Sequence, residues 1–367
     1  MQIPRKFLIS AALALVLLIT LLAGLKPKGY RFRNDITWMP HNGISIGPIG
    51  IAYSGDSLQW AGQNSRDSGF TIEMALSVKR LRSYGISEIL GFWDYASREL
   101  LMIGQWKNHL IIRVREIQSR RGYREFGVDT VLGFGKKNLI QIVSVHSTTI
   151  IYVNGIRTDE LLSAPIMPNA GLRGGLVLGN SATGGEPWFG EFYGIALYKR
   201  EISSEEAAMR FRQWDSLGRN ALPPVTRAAH FFAFNETSST TAHDCITSGF
   251  DLCIPKLFHI IKKQVLIGPW DDFQWTSSYF SDVIINLVGF IPLGFFMSLF
   301  LSKVAGIHFW KTNLLLTITI CFIISLCIEL IQVYLPTRSS QLSDLFLNTL
   351  GGGLGALLVN RLFKGYQ

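Results

Sequence analysis

Seven polar residues near the C-terminus have types and spacings that could support chemistry within a membrane. Three are acidic, one is an arginine and three are amides: Asp282, Asn286, Glu329, Gln332, Arg338, Asp344 and Asn348. Two carboxylates can work as general acid and base, and oxygen ligands suit a hard cation such as Mg²⁺ or Ca²⁺. No histidine or cysteine ligand stands with them, which argues against zinc. We call these seven residues the polar membrane cluster and assign no cofactor to it.

The spacing places the cluster at one depth. Each Asp–Asn pair is four residues apart, so its two side chains share one face of a helix. Both pairs begin an apolar segment, whereas Glu329 lies about 9 Å before the end of its own segment. A carboxylate at the centre of a bilayer costs about 2.5–3.5 kcal/mol on insertion scales, and less near the interface. We therefore expect the three acidic groups to face one another and Arg338.

Three roles remain open for the polar membrane cluster. In a structural role, Asp282 and Asp344 cap their helices and Arg338 pairs with Glu329. In a recognition role, the cluster binds an envelope molecule without changing it. In a catalytic role, Asp282, Glu329 and Asp344 act on a lipid-linked substrate. The structural role ranks first and catalysis last.

Four apolar segments are long enough to position these residues in a bilayer. Residues 7–25 contain 19 consecutive uncharged residues, about 28 Å as a helix. They indicate an uncleaved anchor, because a cut after Ala23 would leave a leucine at the −3 position. The other predicted spans are 283–302, which Pro292 is expected to kink, 314–335, and 345–363, whose glycines suit close packing.

The short loops predict the orientation. The loop 303–313 and the C-terminal tail contain four basic residues, and the loop 336–343 contains only Arg338. The positive-inside rule then places both termini in the cytoplasm and residues 26–281 outside it. The basic residues just after the first span disagree, but long domains are translocated largely regardless of charge.

Composition limits the class of protein. The chain has 367 residues, of which 48% are hydrophobic and 17% charged. These values exclude a disordered protein and argue against an ordinary soluble enzyme. The net charge of +9 comes from scattered Lys and Arg residues without a basic run. We therefore expect a lipid bilayer as partner and no nucleic acid.

The middle of the chain is predicted to be almost entirely β. Apolar residues alternate over 70–78 with a period of two, and residues 150–153 run into Asn154-Gly155, a strong hairpin signal. One helix is predicted at 204–217, where Ser203 and Glu206 form a capping box. We predict a sandwich over 30–256, a linker over 257–281 and a membrane domain over 282–363.

The segments GFTIEMALSVK (69–79), LIQIVSVHSTTIIYVNGIR (139–157) and GEFYGIALYKREISSEEAAMRF (190–211) resemble the laminin-G-like, concanavalin A-like sandwich. This resemblance implies binding of glycans or proteins. Relatives that hydrolyse β-glucans have an E-x-D-x-x-E strand, which this sequence lacks, so we expect no glucanase activity. Trp93, Trp106 and Trp188 are candidates for stacking on sugars, with core packing as the alternative.

Two cysteines in the predicted external domain raise the question of a disulfide. Cys245 and Cys253 could pair in an oxidising compartment, and two reduced thiols are the alternative. The other two cysteines fall within a predicted span, where we expect apolar packing.

The segments SDVIINLVGFIPLGF (281–295) and CIELIQVYLPTRSSQLSDLFLNTLGGGLG (327–355) resemble the VanZ family, which has a member linked to teicoplanin resistance. The matched pattern contains all seven residues of the polar membrane cluster. We therefore expect a multidomain membrane protein, with a four-span α-helical bundle and an all-β concanavalin A-like sandwich inserted after residues 7–25.

The expected role is that of a bacterial inner-membrane protein that recognises an envelope glycan, glycopeptide or surface protein without catalysis. The alternative is a membrane enzyme that uses Asp282, Glu329 and Asp344.

Overall fold

The computed structural model describes most of the chain in two compact units. The described residues are 4–25, 32–55, 58–60, 69–81, 85–94, 99–116, 122–145, 148–161, 165–166, 172–272, 277–335 and 338–363. Residues 31–262 form one unit, and residues 1–30 with 263–367 form the other. We call them the sandwich unit and the helical unit.

Six of the seven described helices belong to the helical unit. In chain order the helices are α1 Arg5–Leu25, α2 Ser204–Ser216, α3 Pro269–Asp272, α4 Ser277–Gly289, α5 Ile291–Lys303, α6 Trp310–Gln332 and α7 Leu342–Phe363. Within the described residues, four helical stretches are long and apolar enough to cross a membrane, and α4 with α5 makes one of them. The predicted four-span helical bundle is confirmed.

The sandwich unit contains the described strands, and all the pairings between them are antiparallel. The strands are β1 Ile36–Trp38, β2 Ile44–Ile46, β3 Ala52–Ser54, β4 Leu58–Trp60, β5 Phe70–Val78, β6 Ser87–Trp93, β7 Glu99–Trp106, β8 His109–Arg115, β9 Tyr123–Val128, β10 Lys137–Val145, β11 Thr148–Val153, β12 Ile156–Leu161, β13 Leu172–Leu178, β14 Gly190–Tyr198, β15 His230–Phe232, β16 Thr241–Ala242 and β17 Leu252–Cys253.

These strands form two sheets. Sheet A has the order β1-β2-β14-β5-β10-β11-β12, with β15 also paired to β14. Sheet B has the order β16-β17-β3-β13-β6-β7-β8-β9, with β4 also paired to β13. The predicted two-sheet fold is therefore confirmed. At the predicted hairpin, Asn154 and Gly155 both have positive φ, of 55° and 74°, which a tight hairpin turn requires.

The core lies between the inner faces of the two sheets. Strand β5 shows why: its even residues, Phe70 to Val78, are all buried in that core. The odd residues point to the other face of sheet A, yet they are buried as well. Helix α2 accounts for part of this, since its Trp214 packs in one cluster with Ala75 of β5.

A buried ion pair ties α2 to sheet A. Arg210 of α2 places Nη2 2.7 Å from Oε1 of Glu73, and neither side chain is exposed by more than 6%. Gln141 donates to the other carboxylate oxygen at 2.7 Å, and the Tyr198 hydroxyl donates at 3.3 Å. The helix starts as predicted, because the Ser203 hydroxyl accepts from the Glu206 amide.

The helical unit packs closely because of glycines. A β-carbon on Gly294 of α5 would overlap the Gly352 carbonyl of α7, and one on Gly355 would overlap the Ile291 carbonyl. These contacts correspond to the small-residue packing common in membranes. At Phe290 the span breaks into α4 and α5, and Pro292 occupies the first turn of α5. The predicted kink is thus a break between two helices.

Candidate functional site

The centre of the polar membrane cluster is Glu329, close to the C-terminal end of α6. Its side chain is almost fully buried, with 1% exposure. Its Oε2 accepts a 2.8 Å hydrogen bond from the backbone amide of Gln341, and Ser340 also hydrogen-bonds the carboxylate. These two residues immediately precede α7, whose N-terminal end favours a negative charge. Glu329 therefore anchors the start of α7 to the end of α6.

A short backbone bridge extends this anchor. The Ile267 amide donates to the Ser340 carbonyl at 2.8 Å, and the Leu342 amide donates to the Ile267 carbonyl at 3.0 Å. The Leu266 amide donates to the Ser340 hydroxyl at 3.1 Å. The segment before α3 and the segment before α7 are thus held together next to Glu329.

Two further members of the cluster contact the end of α1. Gln332 donates from Nε2 to the Gly24 carbonyl at 2.8 Å, and Nη2 of Arg338 lies 3.5 Å from the Ala23 carbonyl. The last carbonyls of a helix lack partners within it, so these side chains cap α1. No ion pair within 4.0 Å joins Arg338 to Glu329 in the part of the chain that the structure describes.

Helix α7 contributes the last Asp–Asn pair. Asn348 is buried and donates from Nδ2 to the Ser325 hydroxyl of α6 at 2.9 Å. Its Oδ1 is buried without a hydrogen-bond partner among the described residues. Asp344 is half-buried in the first turn of α7. Its carboxylate is near enough to Glu329 for the two negative charges to repel each other.

The first Asp–Asn pair lies apart from these contacts. Asp282 is exposed and Asn286 is half-buried on α4, which packs against α7. Over the described ranges, no hydrogen bond joins either residue to the other five members of the cluster. The structure thus gathers five members around the ends of α1, α6 and α7. The function of all seven remains a prediction.

A cavity in the helical unit lies far from Glu329. Its lining includes Ser298, Lys303, His308, Asn313 and Asn360. Asn313 lies in the first turn of α6 and Glu329 is 16 residues further along the helix, so the two are separated by about 24 Å. The carboxylates therefore do not line this cavity.

In the sandwich unit, the three candidate tryptophans differ in exposure. Trp188 is fully buried and donates to Gln105 at 2.8 Å, so it belongs to the core. Trp93 is half-buried and donates to Oε1 of Glu88 at 3.1 Å. Trp106, at the β7–β8 hairpin, is 40% exposed. Its ring stacks on His109 with centroids 5.2 Å apart, and the Lys107 ammonium lies 4.7 Å from it.

A set of three neighbouring glutamates in the sandwich unit was not predicted. Glu88 lies on β6, Glu99 begins β7, and Glu186 precedes β14; one carboxylate oxygen of each lies within 4.8 Å of the other two. We call them the glutamate triad. Burial, with the charges of its two neighbours, raises the pKa of Glu88 well above its usual range. Burial and the charge of Glu186 raise the pKa of Glu99 to about 7. Arg113 lies 3.6 Å from Glu99.

The backbone of β6 accommodates this triad. A β-carbon at Gly91 would overlap Oε1 of Glu88, so the glycine leaves room for that side chain to lie along β6. The register also shifts between Glu88 and Leu90, as at a β-bulge, which re-aims side chains.

The predicted disulfide is not formed in the structure. Cys245 and Cys253 are free thiols, the first exposed and the second half-buried. Their pairing under oxidising conditions stays a prediction.

Several solved structures are similar to about half of this chain. This chain in turn covers less than two thirds of the length of the first structures that it matches. The receptor-binding domain of botulinum neurotoxin C/D mosaic serotype has 12% identity and a TM-score of 0.39, covering 50% of this chain and 46% of its own. A proposed carbohydrate-binding protein from Bacteroides ovatus has 12% identity and a TM-score of 0.38, covering 64% and 62%. Trypanosoma rangeli sialidase has 18% identity and a TM-score of 0.37, covering 49% and 29%.

No curated protein matches the sequence significantly. The VanZ/LLP1 family model matches residues 227–364, which include α3 to α7 and every member of the polar membrane cluster. The predicted VanZ resemblance is therefore confirmed, and it extends further towards the N-terminus than the motifs indicated. Over its C-terminal part this chain is similar to the VanZ/LLP1 family, and the chain also contains a two-sheet β-sandwich.

Proposed function

We propose that this chain is a bacterial envelope protein that recognises a glycan or glycopeptide through its sandwich unit, without converting it. The observation that carries the proposal is the exposed Trp106 at the β7–β8 hairpin. An indole face offers apolar area for a sugar ring, while His109 and Lys107 next to it offer polar and charged groups. Trp188 is excluded by its burial, which leaves Trp106 as the most accessible of the three candidates.

The contacts of the helical unit support a role without turnover. The Glu329 carboxylate accepts hydrogen bonds that fix the start of α7, while Gln332 and Arg338 cap α1. A general acid or base must reach the proton that it transfers. The side chains of Glu329, Gln332 and Arg338 instead hold three helices together. These contacts favour a structural anchor for the external domain over a catalytic site.

The proposal includes an orientation. Both termini lie in the cytoplasm and residues 26–281 lie outside, as the basic residues of the short loops indicate. Protease added to intact spheroplasts should then remove the sandwich unit. Digestion of this unit only after lysis would contradict the orientation.

Binding can be tested with the full chain in lipid nanodiscs. Immobilised envelope polysaccharides and peptidoglycan fragments serve as probes, and affinity is measured by biolayer interferometry. We expect Trp106→Ala to weaken binding at least about fivefold, which corresponds to about 1 kcal/mol. Phe134→Ala is the matched control, because Phe134 is an aromatic residue with 65% exposure at a different site. Equal affinities of the two variants would contradict the assignment of Trp106.

One observation favours the enzymatic alternative. Oδ1 of Asn348 is buried without a partner in the described part of the chain, one helical turn from Asp344 and close to α6. Incubation with lipid-linked envelope intermediates, followed by mass spectrometry, separates the two functions. A product that disappears in Asp344→Asn would establish catalysis and overturn our proposal.

A further inference from the structure

We propose that the glutamate triad, Glu88, Glu99 and Glu186, binds a divalent cation beside strands β6 and β7, with Ca²⁺ as the ion that fits. This site is independent of the glycan-binding proposal, because it rests on other residues.

The distances suit calcium. Ca²⁺ binds oxygen ligands at about 2.3–2.6 Å, so two ligand oxygens around one ion are at most about 4.6–5.2 Å apart. One oxygen from each glutamate lies within 4.8 Å of the other two, so all three can reach one ion. Mg²⁺ requires bonds of about 2.0–2.1 Å in strict octahedral geometry, which is a tighter demand. A ligand set of carboxylates only favours a hard cation over zinc or copper.

A second observation points to a ligand at the same place. Glu88 is fully buried, and its Oε2 receives no hydrogen bond from a donor group within the described ranges. The carboxylates of Glu88 and Glu99 lie within hydrogen-bonding reach of each other, and two carboxylates in contact need a shared proton or a cation between them. The other oxygen of Glu88 accepts from the indole of Trp93, which fixes the side chain. Buried polar atoms in native proteins nearly always have a partner, and an ion is one kind of partner. A cation between the three carboxylates would give the buried Glu88 carboxylate a positively charged partner.

One cationic side chain that contacts the triad is shared with another carboxylate. Arg113 lies 3.6 Å from Glu99, but it also makes a closer ion pair with Glu125 at 2.9 Å. Glu88 and Glu186 are joined through the backbone as well, since the Glu88 amide donates to the Glu186 carbonyl at 2.8 Å. The site is therefore held by the sheet itself and not only by flexible side chains.

The test uses the full chain in nanodiscs after treatment with a chelator. Tb³⁺ is the first probe, because it replaces Ca²⁺ and emits when a nearby indole such as Trp93 is excited. Competition by Ca²⁺ then measures calcium affinity, which we expect near the range of about 10⁻⁴–10⁻³ M found for extracellular modules. Thermal unfolding with and without Ca²⁺ is the second readout, since a ligand that binds only the folded state raises the midpoint.

We expect Glu88→Gln and Glu186→Gln to weaken calcium binding more than about tenfold and to lose the thermal shift. Because Glu186 is half-buried, its variant keeps the test valid if Glu88→Gln does not fold. Glu116→Gln is the control, since Glu116 is an acidic residue in the same unit outside the triad. Wild-type protein without terbium emission or a calcium-dependent shift would overturn the proposal. So would equal calcium affinity in the wild type and both triad variants.

Discussion

Replacing Glu329 separates a structural role of the polar membrane cluster from a functional one. The carboxylate accepts hydrogen bonds from the Gln341 amide and from Ser340. Glu329→Ala leaves both donors without this acceptor, and each buried unsatisfied group costs about 1–3 kcal/mol. We therefore expect a loss of about 2–6 kcal/mol in the free energy of unfolding. Glu329→Gln keeps one carbonyl oxygen for one donor, so its loss should be about 1–3 kcal/mol.

The assay combines two measurements on each variant. Thermal unfolding of the purified full chain gives stability, and a drug-susceptibility or surface-polymer readout in cells gives function at matched membrane abundance. If the role is structural, function should decline in proportion to stability. Both stability and function should then be lower in Glu329→Ala than in Glu329→Gln. Normal stability of Glu329→Ala would refute the hydrogen-bond argument. Loss of function in a fully stable Glu329→Gln would refute the structural role itself.

Three further predictions concern packing and charge elsewhere. Glu73→Gln should reduce the free energy of unfolding of the sandwich unit by about 3–5 kcal/mol, because Arg210 is left as an unpaired buried charge; chemical denaturation measures this. Gly294→Ala should lower the thermal midpoint of the helical unit, an overpacking effect of about 1–3 kcal/mol, whereas Gly289→Ala, which meets no atom within 4 Å, should not. Without a divalent cation, sandwich stability should fall as pH rises from about 4.5 to about 7, since folded Glu99 holds a proton there that the unfolded chain has released; a rise over that range would contradict the buried triad.

Elements with a clear local period were predictable. The alternation over β5, the Asn154-Gly155 turn and the Ser203 cap of α2 all depend on residues within a few positions of one another. The membrane spans follow from long uncharged runs. Each of these signals is a property of one segment, so the sequence alone contains it.

The contacts of the candidate sites were not predictable in the same way. Glu329 was expected to face Arg338, but its observed donors include a backbone amide, and any residue can provide one. The glutamate triad consists of residues from two strands and a loop. The shift in register after Glu88 changes the direction of its side chain, so the three carboxylates lie close together. Such contacts depend on how distant segments pair, which no local pattern encodes.

The capping of α1 has a consequence for the order of synthesis. The carbonyl of Gly24 receives its hydrogen bond from Gln332, which is 308 residues further along the chain. At about 5–20 residues per second, a ribosome makes that partner roughly 15–60 s after Gly24. During this interval the whole sandwich is synthesised, while α1 lacks the helices that pack against it in the finished protein. Helix α1 is thus complete long before its packing partners, and the helical unit closes only when the last part of the chain has been made.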